Sequence, residues 1–360
     1  MYSVYLPRYT IGTDAYQAFS TILAKANHTC AVYYGEHAWL ASARKIEEAL
    51  KSAEIKIIAQ GSYGQEATIE NAEKIMHDPM AQKADFLLGV GGGKCIDTVK
   101  YAGEKMNKPV YTCPSIASNC APVTKISIMY DENGSFREIT QLKQPPVHCF
   151  IDTEVIGNAP LEYLWAGMGD TMAKHVESVF SARGDVLDYP STLGIKIGEL
   201  CFDDILACGQ QAYADARMHI VSPALEETVQ NIIISTGAVS VSVNKDYNSA
   251  LAHALYYGLT VRPVVAEHHL HGEIVSYGTL VQLKMDHQEE LLKQAYRFNK
   301  ELHLPVRIED LGLTIEEDLD DILTAAEGNQ ELLHVPYPVT KDKIYQAMKD
   351  LQNYSEGEIR

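Results

Sequence analysis

GVGGGKCIDTVK, Gly89 to Lys100, is the stretch that decides the fold. It follows the apolar run DFLLGV (85–90), which reads as a short buried strand, and leads into a helical pattern that continues to about Met106. Strand, glycine turn and helix in succession form a phosphate-binding arrangement. Glycines let the backbone approach a phosphate, and the first helical turn offers free N–H groups and a partial positive charge. The usual GxGxxG spacing is not kept, because Gly89, Gly91, Gly92 and Gly93 are followed by Lys94. A glycine cluster after a strand also makes a plain tight turn. Three successive glycines directly before a helix that carries Asp97, with Lys94 as a charge partner, favour an anion, and a pyrophosphate is the expectation.

Outward from this turn, the first ~155 residues alternate strand-like and helical patterns. Strands are expected at 29–35, 54–60, 85–90 and 109–115, with amphipathic stretches at 38–52 and 68–76 between them. ISIMYDENGSFREIT reads as a hairpin turning at Asn133-Gly134, and CFIDTEVI (149–156) as the last strand. Such alternation predicts a parallel sheet covered by helices. After Pro160 helical periodicity takes over, recurring at about 188–207, 222–243, 246–258, 270–300 and 341–352. The expected organisation is an α/β dinucleotide-binding domain over 1–157 and an all-helical domain over 158–360. Glu36, just past the strand AVYYG, is either an exposed helix-start acid or the group that accepts both ribose hydroxyls of an adenosine and repels a 2′-phosphate, which predicts NAD over NADP.

The bulk properties set outer limits. A chain of 360 residues is too long for one core and suits two domains. Its formal charge of -18 argues against nucleic acid and anionic membranes as partners. Seven cysteines without a CxxC pair read as a reduced, cytoplasmic thiol set. MYSVYLPRYTIG lacks a basic start and a long apolar segment, so no secretion signal is expected there, and no apolar run approaches the ~20 residues of a membrane span.

Three residues in the helical half could hold a metal. Asp170 sits in AGMGDTMAK, an acid on an apolar helix with two glycines beside Met168; His253 sits in the apolar SALAHALYYGL; His271 precedes Gly272 at the start of a long apolar helix. Any one of 13 histidines more readily serves structure. One carboxylate and two imidazoles together nevertheless make a zinc-type set with an open fourth position. His268 and His271, three apart, could pair instead on one helix face, and His175 is five residues from Asp170 and turned away, so His175, His268 and His269 are not expected as ligands. A dinucleotide and a metal together suggest redox chemistry on an alcohol.

GGGKCIDTVK, PSIASNCAP, AGMGDTMAK, LAHALYYGLT and HGEIVSYGTLVQ resemble, in order and spacing, the glycerol dehydrogenase branch of the iron-containing alcohol dehydrogenase superfamily, over roughly residues 1 to 350. The resemblance implies a Rossmann-like first domain, a helical second domain, NAD(P), one divalent metal and a small-molecule alcohol or ketone as substrate. It implies a homo-oligomer as well. By the same resemblance Asp170, His253 and His271 are the metal ligands; Gly93, Lys94, Ser115 and Ser118 match cofactor-phosphate positions; Thr124, Ile126 and Tyr130 match positions around the nicotinamide; and Glu36 holds the adenosine ribose. Gly91, Gly92 and Asp97 of the glycine stretch are expected to bind the cofactor as well. Iron-using relatives carry a further histidine one turn after the aspartate. Lys174 stands there, which implies zinc rather than iron.

One departure bears on the substrate. Glycerol dehydrogenases have an aspartate where this chain has Cys120, and a thiol is a poor acceptor for a polyol hydroxyl. Hydroxycarboxylate dehydrogenase-like members share the cysteine and the lysine, so Cys120 and Lys174 are expected substrate contacts, and a 2-hydroxy acid/2-oxo acid pair stands beside a polyol. Two other readings remain: a 3-dehydroquinate synthase-like lyase, for which the basic cluster that holds a phosphate or phosphonate substrate is not evident near the motifs, and a non-catalytic nucleotide-binding relative.

Overall fold

Residues 3–23 and 28–354 are described here from a computed structural model. The chain divides into two units, one of Met1–Leu161 with Asp215–Val241 and the other of Glu162–Ala214 with Ser242–Arg360. The sequence places one boundary near residue 157; the structure instead returns 215–241 to the first unit. Periodicity identifies those residues as helical but carries no information on what they pack against.

The first unit is built on strands β1 (Tyr9–Gly12), β2 (Thr29–Tyr34), β3 (Lys56–Ser62), β4 (Phe86–Gly91), β5 (Val110–Pro114), β6 (Ile126–Tyr130), β7 (Phe136–Gln141) and β8 (His148–Asp152). Six of them form one sheet in the order β1-β8-β5-β4-β2-β3, every neighbouring pair parallel, and β6-β7 form the separate antiparallel hairpin. Three helices pack on the sheet: α1 (Glu36–Ser52), α2 (Ile69–His77) and α3 (Gly93–Met106). All residues of β4, β5 and β8 are buried, as expected of a parallel sheet covered on both faces. The two-residue period shows in the packing. Phe86, Leu88 and Val90 of β4 join Ile46 and Leu50 of α1 on one face, while Leu87 joins Ala72 and Ile75 of α2 and Val99 of α3 on the other.

One local reading is corrected, and one strand is additional to those expected. CFIDTEVI is strand only to Asp152. There the carboxylate accepts from the N–H groups of Glu154 and Val155, both at 3.0 Å, and caps a short helix Thr153–Gly157. Strand β1 pairs with β8, far away in sequence, and its four residues carry too little pattern to be read locally.

His148 on β8 is buried, and Thr10 of β1 lies 2.9 Å from its Nε2. Burial, aided by the charge of Arg8, pushes its pKa down to about 4. The folded protein therefore prefers the neutral ring, and the unfolded chain takes up the proton first. The associated stability is present above pH ~6.5 and is lost as pH falls toward 4. Thermal melts at pH 7 and 4.5 should show wild type losing about 2–3 kcal/mol more than His148→Gln over that interval. Identical losses would refute this account.

The second unit is helical: α4 (Leu161–Ser181), α5 (Tyr189–Arg217, of which residues up to Ala214 belong here), α6 (Leu251–Leu259), α7 (His271–Met285), α8 (Glu289–Leu302) and α9 (Lys341–Gln352). The helical run read at 270–300 is two helices, broken where His287 takes φ 56°. Twelve of the fifteen residues of α7 are buried, which marks it as the central helix. Among the described residues no helix is long and apolar enough to cross a membrane.

Candidate active site

In the first unit the chain leaves β2 for β3 on one side, then crosses back over β2 to β4 on the other. Open parallel sheets bind ligands at the carboxyl ends of strands flanking such a reversal. Here those ends carry Gly35 and Glu36 after β2, and Gly91, Gly92 and Gly93 after β4. The Gly35 N–H donates to Val90 O at 3.0 Å and ties the two ends together. A Cβ on Gly91 would lie 2.8 Å from Cys95 Cβ, so the turn admits no side chain there. Gly92 is the N-cap of α3 and offers no side chain to its first-turn N–H groups, which leaves them for an anion. Glu36 is exposed as the first residue of α1. Ser115 follows β5, with its N–H on Gly91 O at 3.2 Å, and Ser118 and Cys120 are half-buried in the loop beyond.

Two residues of the glycine motif have other partners. The Lys94 ammonium is exposed, 2.6 Å from the Glu66 carboxylate and 5.6 Å from the centre of the Tyr130 ring. Asp97, expected among the cofactor-binding residues, is turned inward. It is 6% exposed, pairs with the buried Lys100 at 2.8 Å and accepts from the Ile128 N–H. Burial pushes its carboxyl up and Lys100 pulls against that. Residues 97 and 100 lie one helical turn apart on the inner face of α3, away from the helix start. The Lys100 ammonium also donates to Ala121 O at 2.8 Å and to Ile126 O, and Thr124 Oγ1 lies 3.4 Å away. It thus fastens the segment that carries Thr124 and Ile126. Tyr130 is held separately, by its N–H on Ala67 O at 2.8 Å.

In the second unit Asp170 comes from α4, His253 from α6 and His271 from the first position of α7. Asp170 Oδ1 lies 3.5 Å from His253 Nε2 and 3.4 Å from His271 Nε2, and one ligand atom from each residue lies within 4.8 Å of the others. Bonds of ~2.1 Å around a tetrahedral ion put neighbouring ligands about 3.4 Å apart. The carboxylate–imidazole distances match that edge. Among the described residues this is the one such group, and His175, His268 and His269 stand outside it. Close packing of α4 on α7 makes the approach possible. A Cβ on Gly169 would lie 2.7 Å from Gly272 O, and one on Gly272 would lie 2.1 Å from Ala166 O.

The charge balance suits a cation. Burial works to raise the Asp170 pKa, but the two imidazoles outweigh it and hold the carboxyl far below the usual range. Burial works to lower His253, but Glu177 and then Asp170 outweigh it and lift the ring to about 10. The pocket therefore stabilises positive charge, which a divalent ion would supply in place of protons. Sequence reasoning missed Glu177. It is fully buried, with Oε1 accepting from the Ala250 N–H at 2.8 Å and the His253 N–H at 2.9 Å, and Oε2 lying 2.6 Å from His253 Nδ1. Its seven-residue spacing from Asp170, two turns along one helix face, is the signal that could have found it. Tyr256 was missed as well; its ring meets His271 edge to face at 4.3 Å between centroids. Lys174 lies one turn after Asp170, with its ammonium on Asn248 O at 2.7 Å.

A parallel-sheet unit with a phosphate-type turn at its reversal, and a helical unit with an Asp–His–His cluster, are the parts of a metal- and nucleotide-dependent enzyme. The iron-containing alcohol dehydrogenase model matches residues 7–153. Glycerol dehydrogenase of Thermotoga maritima is 32% identical over 300 residues, 81% of each chain. Hydroxycarboxylate dehydrogenase A of Escherichia coli is 29% identical over 89% of this chain and 88% of its own. The crystal structure of glycerol dehydrogenase from Schizosaccharomyces pombe superposes with a TM-score of 0.84 at 26% identity, covering 98% of this chain and 92% of that one. The chain belongs to the iron-containing alcohol dehydrogenase family, and its enzymes act on alcohol groups of small molecules.

Proposed function

We propose that this enzyme interconverts a small secondary alcohol and its ketone with NAD as the hydride carrier and zinc as the resident metal. The observation that carries the reading is the meeting of Asp170, His253 and His271 at zinc-ligand spacing. Such an ion acts as a Lewis acid on an alcohol or carbonyl oxygen. Asp170 supplies the single anionic ligand, and the two imidazoles supply neutral ones. Lys174, at the position where a fourth protein ligand would stand, brings a fixed positive charge rather than a lone pair, which favours zinc with an open position over iron. Glu36 at the end of β2 supports NAD over NADP, because a carboxylate accepts from two ribose hydroxyls and repels a 2′-phosphate. Seven cysteines without a CxxC pair support a cytoplasmic setting.

For the substrate, the glycerol dehydrogenase relatives support a polyol. A second reading, a 2-hydroxy acid, is favoured by Cys120 in place of the carboxylate that would hold a diol and repel an acid, and by Lys174 one turn after Asp170 on α4. The test is a paired panel of glycerol, vicinal diols and 2-hydroxy acids with NAD and NADP on metal-assayed protein. Cys120→Asp should raise the kcat/KM ratio of diol over hydroxy acid by about ten- to a hundredfold, the worth of one charge-assisted hydrogen bond. An unchanged ratio removes Cys120 from the substrate pocket.

A further inference from the structure

We infer that Glu177 is a positioning residue for the metal centre, fixing both the orientation and the tautomer of His253; this rests on the zinc reading above. One buried carboxylate does two things at once. Its Oε1 takes the N–H groups of Ala250 and His253, so the first turn of α6 is anchored to α4 at the residue that bears the imidazole. Its Oε2 faces Nδ1 of the same histidine at 2.6 Å. A carboxylate that already accepts two backbone donors has only acceptor capacity left, so Nδ1 carries the proton and donates. In the neutral ring, the form that binds a metal, the lone pair is then on Nε2, the atom that faces Asp170 at 3.5 Å. Side chain and main chain of His253 are held by one rigid group, and neither the ring flip nor the other tautomer can form without breaking a buried charge-assisted bond.

The informative variant is Glu177→Gln, which keeps shape and removes only charge and one acceptor. With its amide oxygen on the two backbone donors, its NH2 faces Nδ1 and selects the tautomer protonated on Nε2, which has no lone pair for a metal. Zinc affinity is read by competition with a chromogenic chelator, alongside melting of the metal-free protein. The expected result is a zinc affinity lowered by about ten- to a hundredfold, with wild-type secondary structure. Retention of zinc affinity to within about threefold of wild type overturns the inference at any melting temperature.

A measurement on the unaltered protein covers the case in which the variant does not fold. Ring-15N spectra of the zinc-loaded enzyme should show His253 protonated on Nδ1 and metal-shifted on Nε2; a proton on Nε2, or a metal shift on Nδ1, overturns the inference. Asp170→Ala separates the role of Glu177 from the existence of the centre. If wild type binds zinc and Asp170→Ala does not, the metal centre stands and Glu177 is judged by its own variant. If the two bind alike, the centre is wrong and the inference falls with it.

Discussion

Alanine at position 271 is expected to abolish bound zinc and to lower turnover by about a thousandfold or more, with NAD binding unchanged. In the proposed centre His271 supplies one of the three ligand atoms found among the described residues, and a two-ligand remnant of one carboxylate and one imidazole would no longer enclose an ion. A Lewis acid stabilises the reacting oxygen by several kcal/mol, and about 4 kcal/mol corresponds to a thousandfold in rate. The fold should survive, since His271 is 41% exposed at the side chain and the start of α7 is capped by Glu273 on the Leu270 N–H at 3.0 Å rather than by the imidazole. Elemental analysis, steady-state kinetics and fluorescence titration with NADH read the three quantities. Full turnover in a zinc-free His271→Ala protein would exclude the ligand set. Loss of NADH binding would mean that the imidazole also serves the coenzyme.

The second large effect is on stability. Lys100→Met should cost about 3–5 kcal/mol, the range seen when one partner of a buried ion pair is removed. The lysine side chain is 1% exposed, and methionine would leave Asp97 charged or newly protonated in the interior and the carbonyls of Ala121 and Ile126 without their donor. For a unit of this size the melting temperature should fall by roughly 10 °C. Removing the carboxylate too, in Asp97→Leu with Lys100→Met, should recover part of the loss, because replacing both charges is far less costly than orphaning one. If the double variant is less stable than the single one, the ion pair is not the source of the cost.

Much of the architecture is legible because each element announces itself locally. β4 is a continuous apolar run, Asn133-Gly134 names its hairpin, and the helices around residues 36–52 and 341–352 are amphipathic throughout. What escapes a local reading depends on distant partners. β1 exists only because β8 offers it an edge, and 215–241 joins the α/β unit through contacts that helical periodicity does not encode. The break at His287 is a left-handed residue without a glycine to signal it. The site divides the same way. The ligand trio is recognisable from residue type and from the family motifs, and the three side chains converge. The pairing of Asp97 with Lys100 escapes the sequence because it depends on the phase of α3 and on what packs against its inner face. Glu177 stands out as a lone acid in an apolar helix, but its role depends on α6, which no spacing on α4 can show.

The glycine pair at 169 and 272 has a further consequence. Where two helices meet this closely, backbone oxygens and the Cβ atoms of Ser276 and Asp170 set the gap between them, and neither glycine position has room for a side chain that could change it. The spacing of Asp170 and His271 is therefore insulated from sequence drift elsewhere in the chain. Residues away from this contact can be exchanged while the approach of the two side chains stays as it was.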